Sequence, residues 1–308
     1  MNPPSNFSRL IRAAAEEEGI RLTAFSDDWA FLLEKDGKRR MIVSHVFPLN
    51  RASSAEVCKD KALCYDILHA AGIPAVLHQF IPNELSPAYV FEVPAKERIL
   101  SAMDEFPRIV LKDNYGSGGS SVRFVDSEES LEEALDLLLP RTQALALSPY
   151  LPVREEYRIV MLDGSARLSF RKQRAAVTGD GKTPLRELIE KSGKKADFAA
   201  FGAPDPERVP EMGEKILLNW KHNLGQGAVA VPLTDPEFLK KTEALAKKAQ
   251  EALDIRFASV DLVDDGKKLY VLEVNAGVMM EHFAGQSESC FAAAKEIYRD
   301  AVRLSFDT

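Results

Sequence analysis

The chain has 308 residues, 45% of them apolar and 28% charged, with 47 acidic against 40 basic side chains and a net charge of −7. That balance fits a folded protein of two or three domains and offers no electrostatic case for binding nucleic acid or an anionic membrane. Three cysteines, Cys58, Cys64 and Cys290, point to a reducing, cytoplasmic setting, and neither a secretory pattern nor an apolar run of membrane-spanning length is present.

Residues 6–18 carry a helical period that Gly19 stops. Strand-like runs follow at 29–33 and 41–43, joined by a Lys35-Asp36-Gly37-Lys38 turn. This N-terminal piece is too small to be a nucleotide domain. Ser53 or Ser54 is placed to cap a helix that runs to Ala71, carries Asp60-Lys61 and stops at Gly72. Pro74 precedes a strand over 75–80, and a helix follows over 95–105.

Residues 108–125 read as strand, glycine-serine loop, strand, with Lys112 at the base of the loop. Glycines let backbone N–H groups close on an anion and adopt positive φ, and serine hydroxyls add donors. Gly116, Ser117, Gly118, Gly119 and Ser120, with Lys112, are therefore candidate phosphate ligands. A Rossmann loop is excluded, since no helix follows and GxGxxG is not matched. A bare glycine loop would read equally well as a flexible hairpin tip; Lys112 favours phosphate.

A helix is predicted over 131–138 and a strand or linker over 144–151, ending Pro149-Tyr150-Leu151-Pro152. Glu155-Glu156-Tyr157-Arg158 opens another strand, turned at Asp163-Gly164. The return strand carries Arg171-Lys172-Gln173-Arg174, a basic cluster that suits a phosphate or carboxylate, or a solvated edge. Gly179-Asp180-Gly181-Lys182-Thr183 imitates the end of a Walker A loop, but Ala176 stands where glycine is needed. It reads instead as a turn before a helix, with Thr183 as N-cap and Pro184 at the first helical position. Residues 191–213 are the longest irregular stretch. A strand over 215–220 leads into Lys221-His222-Asn223, and helices follow over 236–253 and 288–304. His282, beside Met280 and Phe283, reads as structural.

Two apolar runs within 258–275 flank an Asp264-Asp265-Gly266-Lys267 turn signal and predict a β-hairpin. Glu273 and Asn275 are two apart and share a face. Asp261, on the facing strand, joins that face only if the loop has an odd number of residues, such as 265–267; it then lies opposite Val271, diagonal to Glu273. Carboxylates about 4 Å apart repel by roughly 1 to 4 kcal/mol unless a cation sits between them. Two acids and an amide suit Mg²⁺ that keeps waters and bridges to a phosphate. An exposed hairpin with its acids in water is the competing reading.

In order and spacing, these pieces resemble the ATP-grasp superfamily from about Ser53 to the C-terminus. The branch they look most like contains cyanophycin synthetase, the ATP-grasp half of bifunctional glutathione synthetases, and ribosomal-protein glutamate ligases. Asp60-Lys61 with Leu68 and Ala71-Gly72-Ile73-Pro74 is similar to that branch's first helix, whose lysine touches ATP phosphate. Val110-Leu111-Lys112 with 116–122 resembles the second ATP lysine and its glycine-rich flap. Arg171 followed by residues 179–189 looks like the cyanophycin-synthetase segment from an arginine to GDG and beyond. Asp261, Glu273 and Asn275 fall where the family holds two Mg²⁺ ions, with Mn²⁺ as the alternative.

The resemblance implies an α/β (α+β) chain of ATP-grasp fold, two α+β subdomains gripping ATP. These would span 53–148, with the flap, and 149–308, with the metal hairpin, after a short N-terminal α/β segment, 1–52. It implies adenine against the linker at Ser148, Tyr150 and Leu151, and ribose on Glu156 or, failing it, Glu155. Lys61 and Lys112 would hold phosphates; Arg171, Asn223 and Lys221 would face the triphosphate or an acyl-phosphate. Departures are Asn219 in place of the branch's arginine, Asn275-Ala276-Gly277-Val278 in place of Asn-x-x-Pro-Gly, and a shorter N-terminal portion. The implied activity is an ATP-dependent carboxylate–amine ligase using an acyl-phosphate, on an amino acid, peptide or protein tail. The alternatives are an ATP-grasp phosphotransferase and a non-catalytic ATP-binding module. The implied partners are carboxylate and amine substrates, neither nucleic acid nor membrane, with a homodimer compatible.

Overall fold

A computed structural model of the chain describes residues 4–88, 92–119 and 121–307. It divides into two compact units, each discontinuous in sequence: residues 1–76, 157–170 and 232–308 form unit 1, and 77–156 with 171–231 form unit 2. The first 52 residues thus group with the C-terminal stretch.

In unit 1, helix α1 (Asn6–Glu17) packs on the last helix, α9 (Glu288–Leu304). The Glu281 carboxylate accepts from the Asn6 and Phe7 N–H groups at 2.9 Å each, satisfying two of the donors that every helix start leaves open. Strands β1 (Arg21–Phe25), β2 (Ala30–Lys35) and β3 (Lys38–Val43) form an antiparallel sheet in that order. β1 escapes sequence reading, because a five-residue run with only Leu22 and Phe25 as large apolar side chains gives a weak period. The helix expected over 53–71 is two, α2 (Ala52–Lys59) and α3 (Lys61–Ala70). Asp60 leaves the helical region, at φ −91° and ψ 103°, and its carboxylate caps the Leu63 N–H at 2.9 Å. Arg51, not Ser53 or Ser54, is the N-cap of α2, and the Ser54 hydroxyl donates to the Asp254 carbonyl at 3.0 Å.

Strands β8 (Glu155–Leu162) and β9 (Ser165–Gln173) belong to unit 1 between Tyr157 and Phe170. They lie beside β13 (Phe257–Asp264) and β14 (Leu269–Asn275) in the order β9-β8-β13-β14. Ile159, Met161, Ala258, Val260, Leu262, Val271 and Val274 bury one face against Leu68 of α3 and against Ala246 and Ala249 of α7 (Pro236–Ala252). After β14 the chain turns through α8 (Glu281–Ala284). The fully buried Tyr298 pins that turn: its hydroxyl donates to the Val278 carbonyl at 2.8 Å and accepts from the Met280 N–H at 3.1 Å.

In unit 2, strand β4 (Gln79–Pro82) starts four residues later than the run at 75–80 predicts, because Ala75 makes only an isolated bridge to Val271 within unit 1. Strands β5 (Ile109–Asp113), β6 (Val122–Val125) and β7 (Ala144–Pro149) complete an antiparallel sheet ordered β4-β7-β5-β6. Ile109, Leu111, Leu145 and Leu147 bury one face against Ile99 of α4 (Ala95–Glu105) and Leu131 of α5 (Glu128–Leu138). Strand alternation turns Val110, Lys112, Ala146 and Ser148 to the other face, paired as Val110 with Ser148 and Lys112 with Ala146. A capping box at Ser127 starts α5 three residues before the predicted 131.

A smaller core of Ala175, Val177, Leu185 and Leu218 joins β10 (Ala176–Thr178), α6 (Leu185–Ser192) and β11 (Lys215–Leu217). The strand expected over 215–220 ends at Leu217. Pro184, not Thr183, is the N-cap of α6, because the Thr183 N–H and hydroxyl both donate to the Asp180 carboxylate at 2.7 Å. β12 (Val229–Pro232) precedes α7.

The false Walker sequence has a packing explanation. A Cβ on Gly179 would sit 2.1 Å from the Glu211 carbonyl oxygen, so only glycine fits. Gly179→Ala should lower the stability of the chain by about 1–3 kcal/mol, read as a drop in the urea unfolding midpoint.

Candidate active site

In unit 1 the site is the β13–β14 hairpin. Its loop is four residues, 265–268, between the paired Asp264 and Leu269, so the expected odd loop is wrong. The Asp265 carboxylate shapes it, accepting from the Lys267 and Lys268 N–H groups at 2.8 Å each. An even loop alone would leave Glu273 in register with the core-facing Val271. A one-residue bulge corrects this: Leu262 pairs with Val271, but Asp261 pairs with Glu273, leaving Leu272 as the extra residue. Core-facing positions accordingly switch from Leu269 and Val271 to Val274 and Ala276. Glu273 and Asn275 leave the core face together, and Asp261 lies directly opposite Glu273 rather than opposite Val271.

Asp261 is 1% exposed. Arg158 of β8 forks onto both its oxygens at 2.7 Å. Opposed carboxylates repel, and this guanidinium supplies compensating charge. The Asn275 amide donates to Glu273 Oε1 at 3.2 Å, which leaves its carbonyl oxygen as the possible metal donor. Lys61 opens α3. One turn on, burial drives the Cys64 thiol up to about 12, with a backbone hydrogen bond to Val274 opposing and the charges of Glu273, Asp60 and Lys61 also acting on it. Glu273 and Lys61 therefore share an electrostatic neighbourhood. Two carboxylates and one amide oxygen on a single face fit a hard divalent cation that keeps part of its water. Among the described residues no cluster of three or more His, Cys, Asp or Glu could hold a metal, so an ion here depends on Asn275 and water.

In unit 2 the non-core face of the sheet carries Lys112, 8% exposed, with its ammonium 2.8 Å from Nε2 of the buried His78. The glycine loop leaves β5 at Asp113. Gly118 and Gly119 take φ of 75° and 70°, and a Cβ on Gly116 would meet the Asp113 side chain at 2.8 Å. Ser117 lies in the described part of the loop, whereas Ser120 lies outside the described residues. Asn223 latches the loop: its amide donates to the Gly118 carbonyl at 2.8 Å, and its oxygen accepts from the Gly225 N–H at 2.8 Å. Ser148 is buried on the same face as Lys112, and its Oγ has no partner. The Tyr150 ring meets Phe124 at 5.0 Å and Trp220 at 6.3 Å, and the Trp220 Nε1 is likewise buried without a partner. Leu151 accepts at its carbonyl from the Val153 N–H at 2.8 Å.

The cations divide by strand alternation. On β9, Lys172 shares the buried parity of Phe170 and pairs with Glu156. Arg171 has the opposite parity and pairs with Glu155 at 2.8 Å. Lys221 pairs with Asp197 at 3.0 Å, and the buried Asn219 accepts from the Lys221 N–H at 2.9 Å. His222 Nδ1 lies 3.8 Å from Glu156, and its Nε2 is buried without a partner. Burial first, then Arg174 and Lys172, push its pKa down to about 3, against a hydrogen bond to the Arg154 backbone. It is neutral near pH 7.

Sequence reading left His78, Trp220 and Arg158 out of the candidate set and named Lys172 only within a basic cluster. The signal for Lys172 was present, since it lies two residues after Phe170 on a strand. His78 and His222 reach their partners across 34 and 66 residues, which no local pattern reports.

Residues 215–299 match the RimK-like ATP-grasp domain family. The chain is 22% identical over 202 residues to the glutathione biosynthesis bifunctional protein GshAB of Listeria welshimeri, covering 57% of this chain and 26% of the relative. It is 27% identical over 178 residues to the tetrahydromethanopterin:alpha-L-glutamate ligase of Methanocaldococcus jannaschii, covering 56% and 47%. The crystal structure of a bifunctional glutathione synthetase from Pasteurella multocida superposes with a TM-score of 0.57 at 17% identity, over 97% of this chain and 43% of that one. The chain thus spans less than half the length of these relatives. The fold is ATP-grasp, a mixed helix-and-sheet architecture as the sequence implied.

Two measurements test the electrostatics. Arg158→Leu strands a buried carboxylate and should cost about 3–5 kcal/mol, read from urea unfolding midpoints. The His222 pKa of about 3 in the folded chain lies below its ordinary 6.5. The unfolded state therefore binds the extra proton between those values. Stability is complete above about pH 6.5 and falls with acidification through that window, by at most about 1.4 kcal/mol per pH unit. Unfolding midpoints from pH 7 to pH 4 should fall more steeply for the wild-type chain than for His222→Gln.

Proposed function

Taking the chain as the bearer of a RimK-like ATP-grasp domain, we propose that it is an ATP-dependent carboxylate–amine ligase. The observation that carries the reading is the bulge-aligned trio. Asp261, Glu273 and Asn275 lie on one face, inside the matched residues 215–299. Relatives whose names specify glutathione biosynthesis and an α-L-glutamate ligase support an amino acid or small peptide as substrate; a protein tail is the further candidate.

A carboxylate is a poor electrophile and must be activated. Its oxygen attacks the γ-phosphorus of ATP, the bond to the bridging oxygen breaks, and an acyl-phosphate and ADP result. The amine nitrogen then attacks the acyl carbon, phosphate departs, and the nitrogen loses a proton to give the amide. Asp261, Glu273 and Asn275 would hold Mg²⁺, which would supply charge neutralisation on the phosphates. Lys61 and Lys112 offset charge on the transferring phosphoryl group, and Arg171, Lys221 and Asn223 serve the triphosphate or acyl-phosphate. The glycine loop, Gly116, Ser117, Gly118, Gly119 and Ser120, excludes water that would hydrolyse the intermediate. The partnerless Ser148 Oγ and Trp220 Nε1 provide polar atoms for the adenosine end, beside Tyr150, Leu151 and Glu156. A cytoplasmic location accords with three free cysteines, and no helix among the described residues is long and apolar enough to cross a membrane.

The test is ADP release by the purified chain with Mg-ATP and pooled amino acids and peptides. Turnover should require both a carboxylate and an amine, and Asp261→Ala or Glu273→Ala should lower kcat at least about a hundredfold. ADP release that needs only a hydroxyl acceptor would make the chain a phosphotransferase instead.

A further inference from the structure

We propose that the outward face of the β1-β2-β3 sheet is the surface through which two copies of this chain associate. An antiparallel sheet with one face in water alternates apolar and polar residues. This sheet is apolar on both faces. Its inner face is sealed: Phe31, Leu33 and Ile42 are at most 1% exposed, and the Phe7 ring of α1 meets Phe31 at 6.0 Å. The register stacks the outward positions in rows. Phe25, Ala30 and Val43 form the first row, and Thr23, Leu32 and Met41 the second. Arg21, Glu34 and Arg39 form the third, with both guanidiniums on the one carboxylate. Trp29, on the turn before β2, adjoins the first row and is fixed there by the Ser44 N–H, which donates to its carbonyl at 2.8 Å. Phe25 is 50% exposed, Trp29 58%, Met41 58% and Val43 44%. Together they present on the order of 400 Å² of apolar surface, the size that marks a protein-binding face. A standard dimer hides about 800 Å² per partner, somewhat over half of it apolar, so this patch supplies most of the apolar share.

The charges point to a second copy as the occupant. The third row carries one net positive charge. The turn at 26–29, at the other end of the sheet, carries the exposed Asp27, whereas Asp28 is held by Arg12 at 2.6 Å. A two-fold axis lying across the strands, between the first and second rows, lays the apolar rows of two copies on one another. It also sets Arg21 of each copy over the turn of the other, beside Asp27 and the Trp29 ring. Each contact is then made twice, as a closed dimer requires. A face that carries both members of the charge pair is complementary to itself.

The experiment is sedimentation equilibrium of the full chain, wild type and variants, from about 1 to 100 µM, with circular dichroism to confirm folding. The wild-type chain should be a dimer by about 10 µM. Met41→Glu, which sets a carboxylate in the middle of the apolar rows twice per dimer, should weaken association at least about a hundredfold. Phe25→Lys, also at an exposed position, should act alike and serves if Met41→Glu does not fold. Arg21→Glu and Asp27→Arg should each weaken the dimer about tenfold, and the double variant should return to within about threefold of wild type. A wild-type chain that stays monomeric at 100 µM overturns the proposal. So does a dimer that folded Met41→Glu and Phe25→Lys leave intact, or a double variant as weak as the sum of its single changes.

Discussion

The one-residue bulge in β14 is the constraint on which the chemistry depends. Strand parity would otherwise send Glu273 into the core beside Val271 and bring a hydrophobic residue out in its place. Burying that carboxylate among Leu269, Val271 and Val260 would cost several kcal/mol with no partner in reach. Inserting Leu272 as an unpaired residue keeps the apolar set on the helices and releases Glu273 and Asn275 toward Asp261. A single backbone irregularity therefore serves both stability and the oxygen-donor face.

Once the acids share a face, their mutual repulsion has to be met. Arg158 does this for Asp261 with two 2.7 Å hydrogen bonds. The same economy recurs in unit 2, where Lys172 meets Glu156, Arg171 meets Glu155 and Lys221 meets Asp197. Several side chains expected to face a triphosphate are thus held by carboxylates of their own unit. On the nucleotide-binding reading proposed above, an incoming polyanion would exchange partners with them rather than find bare charges. The pairing keeps half-buried cations ordered, and affinity would depend on how weakly each is held.

The chain also shows why sequence neighbourhood and packing neighbourhood part company. The first 52 residues resemble a separate leading segment. Yet α1 finds its helix partner in α9, and Glu281 satisfies the N–H groups at the start of α1. Strands β8 and β9 belong partly to each unit, so a boundary drawn along the chain cannot follow the units.

The amino-acid sequence by itself determined the strongly periodic and well-capped elements. Helix α4 and helix α9 fall at the predicted bounds. It also determined the glycine-serine loop between two strands, the tight turns at Asp36-Gly37 and Asp163-Gly164, and the presence of two acids and an amide in one hairpin. These are local properties, fixed by period, by glycine's freedom at positive φ and by side chains that cap their own neighbours. Tertiary structure alone decided the rest. It broke the 53–71 helix at Asp60, placed the bulge that sets which face Glu273 takes, and chose Lys172 over Arg171 as the buried cation. It also brought His78 to Lys112 and His222 to Glu156. The physical reason is common to all of these: parity and pairing across a sheet are settled by what lies on the facing strand and beneath it, and that neighbour is distant in the chain.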